Sequence, residues 1–142
     1  MTAIVVDASV WVAAADSKAL HHGAARGALV ELAARGDTIV VPSLARVEVA
    51  CALRRRLADA DGALLQVEAF FNAPFIIEVT LDRGQAEAAV RLGVEQRLSG
   101  ADAVYAALAR AADAILLTLD RELLERADGM SPEEWLRANP RA

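Results

Sequence analysis

Four acidic residues stand where they can do joint chemistry. Asp7 closes the apolar run AIVV and sits in VVDASVW, and Asp120 closes AILLTL in AILLTLDREL. They are 120 − 7 = 113 residues apart. Glu48, in SLARVEVACALRRR, shares a helical face with Leu44, Cys51 and Ala52. Asp102, in GADAVYAALARAAD, shares one with Tyr105, Ala106 and Ala109. Each has an ordinary explanation alone. Asp7 and Asp120 suit helix N-caps, Ser99 and Asp102 have the spacing of a capping box, and Glu48 can pair with an arginine or reach water. A carboxylate on an apolar stripe is costly unless it is paired or bound to a cation, and four acids on one edge repel one another unless a cation lies among them. Oxygen donors without His or Cys suit Mg²⁺ or Mn²⁺ rather than zinc. Such an ion takes its remaining ligands from water and phosphate, which points to phosphodiester hydrolysis by an ion-activated water.

The elements that must position these acids are readable as alternating strands and helices. Short β-branched or apolar runs predict strands at 3–6, 37–42, 75–79 and 114–119. Helices are expected after Asp7, over 21–36 with Gly36 as C-cap, from an N-cap at Ser43 to about Leu57, and over 61–72. Others follow from Asp82 to about Leu98, from Ser99 to about Ala112, after Asp120, and from the capping box at Ser131-Pro132-Glu133-Glu134 through Leu136. The stretch ERADGM before Ser131 is a poor strand. This alternation predicts an α/β sandwich around a parallel sheet with right-handed crossovers. Ligands of such sheets bind beyond the carboxyl ends of the strands, near where strand order reverses. Asp7 and Asp120 therefore come to one edge.

The composition is consistent with this reading. At 142 residues the chain is expected to form a single domain, residues 1–142, with an Ala, Val, Leu and Ile core, since aromatics make up only 4%. Net charge is 15 − 20 = −5, which argues against a nucleic-acid coat protein but allows a local basic path. The single cysteine, Cys51, reads as a small apolar filler and points to a reducing, cytoplasmic setting. No signal peptide or membrane-spanning run is apparent.

VVDASVW, PSLARVEVACALRR, LSGADAVYAALARAADAILLTLDREL and SPEEWL, in that order, resemble a PIN domain, and more narrowly the toxin of a VapBC-type toxin–antitoxin pair. The resemblance spans essentially the whole chain. It implies a Rossmann-like α/β/α sandwich and a Mg²⁺- or Mn²⁺-dependent endoribonuclease. By position, Asp7, Glu48, Asp102 and Asp120 would form the acidic pocket. Ser9 and Thr118 match hydroxyls that orient the carboxylates or metal-bound waters. The resemblance further implies a homodimer, and inhibition by a VapB-type antitoxin whose C-terminal segment covers the pocket. A standalone RNA-processing nuclease of the same family is the nearest alternative, and a non-catalytic interaction module is another.

Other residues carry weaker signals. Arg46, Arg54, Arg55 and Arg56 can track RNA phosphates, or can be a solvated face. His21 and His22 are adjacent, face different ways, and read as surface residues. Trp11 and Tyr105 suit the core or the rim, and Phe70 and Phe71 suit either core packing or a dimer contact. The only lysine, Lys18, lies in an early loop, which excludes a phospho-acceptor domain needing a late-strand lysine. Asp7-Ala8-Ser9 lacks the second acid of a haloacid-dehalogenase-like site, and no Gly-rich phosphate loop is present.

Overall fold

The computed structural model of the chain describes residues 3–141. Strands β1 (Ala3–Val6), β2 (Thr38–Pro42), β3 (Ile76–Val79) and β4 (Ile115–Leu117) form one sheet in the order β3-β2-β1-β4. Every pairing is parallel. The central strands β1 and β2 are buried on both faces, and this is why they read as unbroken apolar runs. β3 is an edge strand and exposes Ile77 and Glu78.

Parallel neighbours require crossovers. α1 (Ala8–Ala15) and α2 (His22–Arg35) join β1 to β2, and α3 (Leu44–Arg56) and α4 (Ala60–Phe71) join β2 to β3. α5 (Arg83–Gln96) and α6 (Gly100–Ala111) join β3 to β4. The first two crossovers step one way along the sheet, and the third returns past β1. Right-handed connections therefore put α5 and α6 on the face opposite α1–α4. The packing agrees: α1 touches α2 and α3, and α3 touches α4, whereas α5 lies on α6, which contacts β1, β2 and β4. α7 (Arg121–Arg126) and α8 (Pro132–Ala138) complete the chain, with α8 against α2. The result is the expected α/β/α sandwich around a parallel sheet. Trp11 packs on Phe70 and Phe71 at ring-centroid distances of 4.9 and 5.1 Å, so the three aromatics join α1 to α4.

Strand order reverses at β1, which has β2 on one side and β4 on the other. A crevice opens there, beyond the carboxyl ends of β1 and β4.

Two local expectations are corrected. β4 stops at Leu117 rather than at residue 119, and beyond it the Thr118 N–H donates to Met130 O at 2.9 Å. Met130 in turn donates its N–H to Leu116 O at 2.8 Å, so the poor strand ERADGM contributes one isolated bridge, Leu117 to Met130. Ser43 does not cap α3. Its backbone is already helical (φ −54, ψ −29), whereas a capping residue is extended. Its N–H and its hydroxyl instead both donate to Val79 O, at 3.0 and 3.4 Å. Gly36 ends α2 as expected, at φ 72.

Candidate metal centre

Asp7 leaves β1 at the crevice and is 5% exposed. Although it precedes α1, its side chain does not cap that helix. Asp7 Oδ2 instead accepts from Ser9 Oγ at 2.6 Å and from Thr118 Oγ1 at 2.9 Å. Each hydroxyl is itself held by a backbone amide: Leu119 N–H donates to Ser9 Oγ at 3.0 Å, and Asp120 N–H donates to Thr118 Oγ1 at 2.9 Å. Every hydroxyl thus has a fixed donor and acceptor, and the Asp7 carboxylate is fixed with them. Burial pushes its pKa above the usual carboxylate value, and the Asp120 charge adds to this, against the two hydroxyls.

Asp120 divides its work between its oxygens. Oδ1 caps α7, accepting from the N–H groups of Glu122 at 2.9 Å and Leu123 at 3.2 Å. Asp102 sits in the first turn of α6, whose cap Ser99 accepts from the Asp102 N–H at 3.4 Å. One carboxylate oxygen each from Asp102, Asp120 and Glu122 lie within 4.8 Å of one another. Burial first, and then the Asp120 charge, raise the Asp102 pKa to about 6, with Asp7 and Glu122 adding to the effect. Glu122 was not anticipated from the sequence, where the first turn of a short helix is an unremarkable place for a glutamate.

Glu48 reaches the same edge from α3. Burial raises its pKa and the Asp7 charge adds to that, while the neighbouring Tyr105 hydroxyl opposes it. Neither Glu48 Oε1 nor the Tyr105 hydroxyl forms a hydrogen bond of proper geometry among the described residues, although both atoms are buried. Asp7, Asp102 and Asp120 are thus in electrostatic reach of one another, Glu122 joins them through Asp102, and Glu48 reaches Asp7 alone among these acids.

A cleft of about 750 Å³ extends from Ser9 and Glu48 along α3. Its walls include Val12, Ala13, Leu20, Val47, Arg55 and Arg56. The structure separates the four arginines. Arg55 and Arg56 line the cleft, with Arg56 paired to Asp16 at 3.2 Å. Arg46 is engaged elsewhere, with Glu78, Asn72 and the Phe71 ring, and Arg54 bonds to Leu57 O at the end of its own helix. Cys51 is exposed and lines the cleft, which corrects its reading as a core filler: the apolar face of α3 that carries Glu48 is a cleft wall. His21 and His22 serve structure, through Glu133 at 2.7 Å and Ala13 O at 2.9 Å. Trp11 is core, its indole donating to Val6 O at 3.2 Å.

The donor set fits a hard divalent cation. The grouped donors are all carboxylate oxygens, one further carboxylate oxygen is buried without a partner, and burial and mutual repulsion raise three of the acids. A positive ion relieves all three conditions, and oxygen ligands alone favour Mg²⁺ or Mn²⁺.

No curated protein matches the chain by sequence. Among solved structures, PAE2754 from Pyrobaculum aerophilum is similar with a TM-score of 0.72 at 22% identity, covering 96% of this chain and 88% of that one. VapC20 of Mycobacterium tuberculosis, described as a toxin that cleaves the sarcin–ricin loop, is similar with a TM-score of 0.71 at 21% identity, over 86% of this chain and 93% of that one. VapBC2 from Rickettsia felis, solved bound to a fragment of its promoter DNA, gives a TM-score of 0.70 at 15% identity, over 92% and 97%. At these identities the structures show a shared fold. The sequence profile of the PIN domain matches residues 4–129, across the crevice and every acid around it, and the chain belongs to the PIN domain family.

Proposed function

We propose that this PIN domain is a metal-dependent endoribonuclease and the toxin of a type II toxin–antitoxin pair. The proposal is supported by the grouping of Asp102, Asp120 and Glu122, with Asp7 in electrostatic reach of Asp102 and Asp120 and Glu48 in reach of Asp7. These acids would hold Mg²⁺ or Mn²⁺. When bound, the ion supplies positive charge that acidifies water and offsets the charge gathering on phosphodiester oxygens. The chain's own residues do the rest. Ser9 and Thr118 fix the direction of Asp7, and the Asp120 cap on α7 holds that carboxylate in place. The cleft along α3 receives the RNA strand, with Arg55 and Arg56 taking a phosphate away from the acids. RNA as substrate and a VapB-type antitoxin as partner are supported by the fold shared with VapC20 and VapBC2. The same reading takes the chain as a single PIN domain that forms a homodimer and works in the cytoplasm.

The test is cleavage of total cellular RNA by the purified chain, free of any co-purified partner, with Mg²⁺, with Mn²⁺ and with chelator. Discrete fragments should form with either ion and vanish with chelator. Asp7→Asn should cut the rate by more than about a hundredfold, beyond the loss typical of a residue that only supports a ligand. Fragments that persist in chelator, or normal cleavage by the variant, would refute the assignment.

A further inference from the structure

Tyr105 is 0% exposed and lies on α6, one turn after Asp102. Its hydroxyl has no hydrogen-bond partner among the described residues, and neither has the buried Glu48 Oε1. The hydroxyl faces the Glu48 carboxyl, with the Asp7 carboxyl and the backbone of Ala8 also close to it. An orphaned polar atom in a protein interior is costly, and a phenylalanine would fill nearly the same space without one. Among the acids of the crevice the contrast is clear. Asp7 is oriented by two hydroxyls and Asp120 by two amides, whereas Glu48, on a longer and freer side chain, has only the Tyr105 hydroxyl beside it. A phenol is protonated at neutral pH and has one O–H to donate, which a carboxylate oxygen can accept.

We propose that Tyr105 is the positioning residue of Glu48: its hydroxyl donates to the Glu48 carboxylate and aims it across the crevice toward Asp7 as a cation ligand. The proposal rests on the reading of the acids as a divalent-cation site. α6 then serves the site twice, presenting Asp102 to the ion and Tyr105 to the ligand opposite.

Tyr105→Phe removes the hydroxyl and keeps the ring, so the core is preserved. The experiment is a double-substitution cycle with Glu48→Ala, read in two arms. In chelator, thermal unfolding reports the contact itself: the shifts in melting temperature of the two substitutions should fail to add, and additive shifts would overturn the contact. In the second arm, Mn²⁺ affinity is measured by electron paramagnetic resonance. Tyr105→Phe should weaken Mn²⁺ binding about tenfold in the otherwise unaltered chain, and by less than about twofold once Glu48 is alanine. Unchanged Mn²⁺ affinity in Tyr105→Phe, or equal weakening in both backgrounds, would overturn the positioning role. Failure of the unaltered, folded chain to bind Mn²⁺ would instead overturn the cation site, and with it the purpose given to Tyr105, while the chelator arm still judges the contact.

Discussion

At Asp102, burial and the Asp120 charge lift the carboxyl from 3.8 to about 6, and Asp7 and Glu48 are raised as well, first by burial. Between the unfolded and folded values of such a group, the folded protein keeps a proton that the unfolded chain has released. Stability therefore falls as pH rises through that interval, which for Asp102 runs from 3.8 to about 6. Asp16 and Glu31 act in the opposite sense. They are held low chiefly by the Lys18 amide and the Arg35 side chain, so their stabilisation is lost only on acidification below ordinary carboxyl values. In chelator, the melting temperature should thus climb as the pH falls from about 7 to about 4, before it drops. Asp102→Asn should raise the melting temperature near neutral pH by a few degrees, about 1 kcal/mol once solvent screening is allowed for. Saturating Mn²⁺ should reverse that ranking, because on the proposed reading Asp102 is a ligand that the variant lacks. A flat profile over this range, or a variant that melts lower in chelator, would contradict the account.

Among the elements, the turn after α7 supports the site from behind. A Cβ on Gly129 would lie 2.7 Å from Thr118 Cγ2 and 2.9 Å from Leu123 O, and Thr118 is the residue whose hydroxyl holds Asp7. Gly129→Ala should therefore cost about 1–3 kcal/mol in urea unfolding and slow cleavage by shifting Thr118; wild-type stability would show that the turn has room to give. At this scale the sequence was informative where one local signal decides the outcome. The strands were legible because β1 and β2 are buried on both faces, and Asp7 and Asp120 because an acid ending an apolar run must lie at a sheet edge. What escaped depends on three-dimensional direction. The stripe of α3 bearing Cys51 and Glu48 has the composition of a core face but lines a cleft. Ser43 has the type of a cap but a helical backbone. Glu122 groups with Asp102 and Asp120, and the Tyr105 hydroxyl lies against Glu48, only in three dimensions, and no local spacing encodes that. The four arginines look alike in the chain and separate only when their partners are known.

Over the whole molecule, a net charge of 15 − 20 = −5 means that the proposed RNA substrate would have to be met by local rather than global attraction. Arg55 is 55 − 48 = 7 residues from Glu48, two turns on along the same face of α3, and it lines the cleft. Arg55→Ala, placed in the non-cleaving Asp7→Asn chain, should weaken RNA binding and lower the slope of log affinity against log salt by about 1. Arg54→Ala should leave both unchanged, and equal effects of the two would dissolve the distinction drawn between them. The hydrogen-bond ring through Asp7, Ser9, Thr118 and Leu119 also joins the earliest strand to the last. On the ribosome, Asp120 is added 120 − 7 = 113 residues after Asp7, which at about 5–20 residues per second is a delay of roughly 6–23 s. Throughout that delay the nascent chain carries Asp7 without the hydroxyl and amides that fix it, and a transcript broken before codon 118 yields no assembled pocket at all. The acidic centre is therefore completed only when the segment carrying Thr118, Asp120 and Glu122 has been made.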